Sequence, residues 1–65
     1  MSKHERAGVV VIRVWIETGE GRDGLRARIT LVRDLEENEP ETAVARDPDE
    51  IVAVVRRFVN EFAVR

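Results

Sequence analysis

Gly19, Gly21 and Gly24 spell G-x-G-x-x-G. In dinucleotide-binding folds that pattern follows a strand and opens a helix, whose first amides meet a pyrophosphate. Here the next residues, Leu25-Arg26-Ala27-Arg28-Ile29-Thr30-Leu31, alternate apolar and polar as a strand does, so the helix that phosphate would need is missing. A kinase-type glycine loop does lie between strands, but it works with a strand lysine and an Asn/Asp metal set. The chain has no lysine after Lys3. The glycines read as a flexible hairpin connection.

Asp34, Glu36, Glu37, Glu39 and Glu41 could offer oxygen ligands to a hard cation. Their spacing is not that of a calcium loop, and a charge run of this type reads as solvated, so neither a metal nor another cofactor is expected. Nucleophilic catalysis has little to start from: there is no cysteine, the one histidine is His4 and the one serine is Ser2. No nucleophile, base and orienting group can be assembled within the body of the chain, and the expectation is a protein that is not an enzyme.

Two constellations remain, and both concern binding. Arg13, Trp15, Arg26 and Arg28 share one side of two alternating segments, the type of surface on which single-stranded nucleic acid stacks. Glu17 and Asp34 lie on the same side and the net charge is −2, which makes nucleic acid the less favoured partner. The other constellation is apolar. Val9, Val11, Trp15 and Val32 would lie on a sheet face away from any helix, and Val52, Val59 and Ala63 form a flank beside the main apolar stripe of the helix. Contiguous apolar surface usually marks a partner site. The expected interaction surface is therefore Val9, Val11, Arg13, Trp15, Arg28 and Val32. A second copy of the chain is the first partner expected, giving a homodimer, and a different protein is the other.

The elements that position these residues are organised around a helix start. Asp47 can cap, Pro48 suits the first helical position, and Asp49 and Glu50 complement the positive end of the helix dipole. Ile51, Val54, Val55, Phe58 and Phe62 then recur on one face, predicting a helix over 48–62. Val10, Ile12, Val14 and Ile16 alternate within a first strand over 8–17, and Leu25, Ala27, Ile29 and Leu31 within a second over 25–35. Residues 42–46 read as a short third, edge strand. The fold class is α+β, β-β-β-α, with the helix laid across the Val10/Ile12/Val14/Ile16 and Ala27/Ile29/Leu31 face. Pairing Glu17 with Arg26 and Trp15 with Arg28 keeps the two apolar faces together and centres the turn on Gly21-Arg22. Residues 1–6 read as a flexible tail and 7–65 as a single domain.

A chain of 65 residues without cysteine has no disulfide or thiolate metal site to reinforce it, and buries only about 60% of its unfolded surface. Self-association is the remaining reinforcement. The apolar run from Val9 to Ile16 is short and interrupted by Arg13, unlike a signal peptide or a membrane span, so a cytoplasmic protein with no membrane partner is expected. Arginine outnumbers lysine ten to one, a codon bias pointing to a GC-rich, bacterial genome.

A strand ending in Ile16-Glu17, a hairpin, an Ala27-Arg28 strand ending in Asp34-Leu35, a short strand and an Asp-Glu-led helix follow in order. From Val9 to Phe62 this order resembles the amino-terminal domain of HicB-type antitoxins. The resemblance implies a role in binding a small partner protein. The leading reading is thus a non-catalytic, self-associating interaction module, beside a single-strand nucleic-acid-binding sheet and an antitoxin-like binder.

Overall fold

A computed structural model describes residues 6–19, 24–34 and 39–64. Within them the chain forms β1 (Val9–Ile16), β2 (Leu25–Val32), β3 (Glu41–Ala45) and α1 (Pro48–Val64). The strands make one antiparallel sheet in the order β1-β2-β3, so the β-β-β-α architecture is present as the alternation of residues implies. β2 stops at Val32, short of the expected strand end, and α1 runs on to Val64. The amino-terminal tail before Arg6, the turn at Gly21-Arg22, the strand end at Leu35 and the acidic residues Glu36 and Glu37 lie outside the described residues.

Parity of the hairpin is as expected, but its register is not. Ile16 pairs with Leu25, Trp15 with Arg26 and Arg13 with Arg28, two residues away from the Glu17–Arg26 and Trp15–Arg28 pairing. The Glu17 N–H donates to the Gly24 carbonyl (2.8 Å), which extends the same register one pair beyond Ile16 and Leu25. A shift of two keeps every side chain on its face, so alternation alone cannot distinguish the two registers.

The helix start follows its capping residues closely. The Asp47 carboxylate accepts from the Glu50 N–H (2.8 Å), and the first helical bond runs from the Ile51 N–H to the Asp47 carbonyl (3.2 Å). Glu50 reaches back one residue further than a capping box requires and accepts from the Arg46 N–H (2.6 Å). Removing the cap with Asp47→Ala is expected to cost about 1 kcal/mol, read as a lower midpoint in urea with the slope unchanged. A midpoint equal to wild type would show that the Glu50–Arg46 bond holds this end alone.

The core is smaller than the alternation suggested, and it is displaced. Ala27, Ile29, Leu31, Ala45 and Phe58 are buried, with Val10, Ala43, Ile51 and Val54 packed around them. The helix therefore lies over β2 and β3, not across β1. Ile12, Val14 and Ile16, expected in the core, remain 43%, 55% and 54% exposed. Two features place the helix there. Only Arg46 and Asp47 separate β3 from α1, so the helix begins beside β3. Ala43 and Ala45 of β3 then pair with Ile29 and Ala27, giving a low floor on which a helix can sit closely. A helix about 10 Å across covers about two strands spaced by about 4.8 Å, and the third is left bare.

Candidate interaction surface

β1 sits at one edge of the sheet and is the most exposed element of the fold. Among the described residues, five of the nine exposed large apolar side chains belong to it: Val9, Val11, Ile12, Val14 and Ile16. They divide by parity between the two faces of the sheet.

The outer face carries the surface expected from the sequence. Val9, Val11, Arg13 and Trp15 lie on it from β1, and Arg28 and Val32 from β2. Among the described residues no helix covers that face. Val9, Val11, Arg13 and Arg28 are exposed, while Trp15 and Val32 are half-buried. Val44 of β3, 75% exposed, joins them opposite Arg28 and belongs to this surface although the candidate set omits it. Trp15 is engaged locally. Its indole N–H donates to Glu17 Oε2 (3.1 Å), and the Arg13 guanidinium lies 5.1 Å from the ring centroid. The arginine over the indole is Arg13 and not Arg28, as the shifted register dictates. Arg26, directly opposite Trp15, turns its guanidinium to the Leu25 carbonyl (2.9 Å).

The inner face of β1 went unrecognised in the sequence because its residues look like core. On that face Ile12 stands beside the flank of α1, where Val52 and Val59 are themselves about half exposed, while Val14 and Ile16 lie outside the lining. Between β1 and the helix runs an open apolar groove. One recess of it, of about 360 Å³, lies between Ile12 and the Ile51, Val52, Val55 and Val59 side of the helix. A second, of about 230 Å³, is bounded by Gly8, Val10, Phe58, Val59 and Phe62. A signal for this was available: a single helix cannot cover three strands.

The two edges of the sheet differ sharply. β3 is five residues long, begins at Glu41 and follows Pro40, three devices that discourage pairing with another strand. β1 is eight residues long, and its one charged residue, Arg13, points to the outer face. The Glu17–Gly24 bond fixes which backbone groups face outward. It makes the odd positions of β1 the hydrogen-bonded partners of β2, so the N–H and C=O groups of Val10, Ile12, Val14 and Ile16 point away from the sheet.

The charged residues elsewhere are used to hold the fold. Arg33, just after β2, bonds Glu41 on β3 and Glu61 on α1 and lies 5.6 Å from the Phe58 ring centroid. Donating hydrogen bonds to these carboxylates, Glu41 first, raises the Arg33 pKa above its already high value, so the guanidinium stays charged. Arg6 donates to the Phe62 carbonyl and lies 4.3 Å from the Phe62 ring, closing the far end of the helix. Among the described residues no group of three or more His, Cys, Asp or Glu side chains is placed to hold a metal ion. No helix among them is long and apolar enough to cross a membrane.

Fold and surface together define a small α+β domain with one bare apolar edge strand. No family model, no curated protein and no solved structure matches the chain.

Proposed function

We propose that the protein is a non-catalytic interaction module that associates with itself through β1. The observation that carries this reading is the edge strand itself, with outward backbone groups at its even positions and large apolar side chains exposed on both faces. Such an edge is a template for another strand, and a lasting monomer would leave it in water. The thin core adds a motive, since association is a common source of stability in chains this short. Work in the cytoplasm of a bacterial cell is part of the same reading, supported by the arginine-rich, cysteine-free composition.

The nucleic-acid reading is weakened by the placement of Arg13 on Trp15, because a base could stack there only by displacing it. Absolute mass by light scattering across a dilution series tests the reading. A dimer persisting into the low micromolar range is expected. Ile12→Glu, which adds a charge at an exposed position of the edge, should shift the midpoint of dissociation at least tenfold upward while leaving the circular dichroism spectrum unchanged. A monomer at every concentration for the unaltered chain would overturn self-association.

A further inference from the structure

The self-association reading leaves open which part of β1 meets which, and the shape of the strand and its groove answers that. The two ends of the inner face of β1 are unlike. At the carboxy-terminal end Val14 and Ile16 project from the sheet, 55% and 54% exposed, and line neither of the recesses beside the helix. At the other end lies the 230 Å³ recess of Gly8, Val10, Phe58, Val59 and Phe62. Gly8 is what keeps the recess open. A Cβ there would lie 2.7 Å from the Val32 carbonyl oxygen and 3.2 Å from the Phe62 ring, so no larger residue fits without movement. One end is a pair of knobs and the other a hole.

We propose that two copies join edge to edge, with their β1 strands antiparallel and Ile12 on the two-fold axis, into one continuous six-stranded sheet. This rests on the self-association reading and specifies its geometry. An isologous contact requires the same patch to complement itself under a two-fold rotation. With Ile12 on the axis, Val10 pairs with Val14 of the second copy and Gly8 with Ile16, so the knobs of each copy enter the hole of the other. Every hydrogen-bonded pair across the new seam is even with even, which is the set whose N–H and C=O groups point outward. The paired strip runs from Gly8 to Ile16, roughly 30 Å at about 3.3 Å per residue.

The outer face agrees with the same register. Val9 falls opposite Trp15 of the second copy and Val11 opposite Arg13, so the two exposed valines are covered by an indole and an arginine stem. Competing registers do worse on the same residues. Centring on Arg13 sets that arginine directly against itself, which is repulsive at cross-strand distance. A Val14 centre leaves Gly8, Val9 and the recess unpaired, and a Val11 centre runs Ile16 out beside Arg6. A strand from an unrelated protein would have no reason to supply branched side chains at the two positions the recess requires. The second copy supplies them by construction.

Cysteine cross-linking reads the register directly, because the chain has no cysteine of its own. Residues facing each other as a hydrogen-bonded pair have Cα atoms about 5.5 Å apart, within the span a disulfide can bridge. Ile12→Cys under mild oxidation is therefore expected to give mostly covalent dimer at low micromolar concentration. Val14→Cys places its two sulfur-bearing residues four positions apart along the seam and is expected to stay uncross-linked. Bridging at Val14 and not at Ile12 would overturn the register. Bridging at neither position in a protein that light scattering shows to be dimeric would overturn the Ile12-centred pairing while leaving self-association standing. A monomeric mass for both variants and for the unaltered chain would remove the underlying reading as well.

Discussion

Phe58→Ala should lower the thermal midpoint by about 12 °C or more, and in a domain of this size that amounts to loss of the folded state near body temperature. Phe58 is the one buried residue of α1 and the only aromatic in the core cluster. Its ring is 6.1 Å from that of Phe62, and the Arg33 guanidinium lies over its face. Truncating a buried phenylalanine costs about 3–5 kcal/mol. A 65-residue domain has roughly 3–10 kcal/mol in total at ordinary stability per residue. At about 4–8 °C per kcal/mol the shift is large. Melting followed by circular dichroism, at one fixed protein concentration because a self-associating protein gains stability by mass action, measures it. Val44→Ala is the control, since Val44 is 75% exposed and should move the midpoint little. If Phe58→Ala melts within a few degrees of wild type, the helix is not held by this ring and the displaced core described above is wrong.

Phe58 also shows what the sequence makes legible. The 3.6-residue period names the helix and its buried stripe, and of that stripe Phe58 is buried while Ile51, Val54, Val55 and Phe62 are partly so. The capping residues mark the helix start because the physics there is local: Asp47 and Glu50 bond backbone amides within four residues. Period-two alternation likewise names the strands and assigns each residue a face. Alternation cannot say what covers that face. Ile12, Val14 and Ile16 carry the same pattern as Ile29 and Leu31, yet Ile29 and Leu31 lie under a helix and the other three do not. The difference is decided by β3, whose alanines and short link carry α1 to the far side of the sheet. Register escaped for a related reason. The Glu17–Arg26 and Trp15–Arg28 pairs satisfy parity and centre a turn on Gly21-Arg22, but the charge and ring contacts they would add are worth only about 1 kcal/mol or less each. The chain instead takes the Arg13–Arg28 pairing, and Arg13 turns onto the Trp15 ring of its own strand. The proposed surface was therefore half legible: its outer residues follow from parity, and its inner residues follow only from where the helix lies.

Proline scanning along β1 should separate the two edges of the strand by parity, and Val14→Pro is expected to abolish dimerisation while sparing the monomer fold. Proline lacks the N–H that a ladder needs and is tolerated on an edge strand only where that N–H faces solvent. The Val14 N–H points away from β2, so its loss costs the isolated chain no ladder bond. In the proposed pairing the same N–H donates to Val10 of the second copy, and the two-fold axis doubles the damage. Two lost bonds at about 0.5–1.5 kcal/mol each, with a ring forced into the seam, give about 3 kcal/mol or more, close to a hundredfold in dissociation constant. Arg13→Pro is the opposite case. Its N–H bonds β2 directly, so that variant should lose the hairpin and with it the fold, visible as a collapsed strand signal in circular dichroism. A Val14→Pro protein that still dimerises at the wild-type concentration would place the contact elsewhere, on the outer face around Val11 and Val44, where no backbone group takes part. If both prolines unfold the chain, Val14 must already be donating within the monomer, which contradicts the alternation that the Glu17–Gly24 bond sets. The parity of these two neighbouring positions thus tests the edge without relying on any side chain.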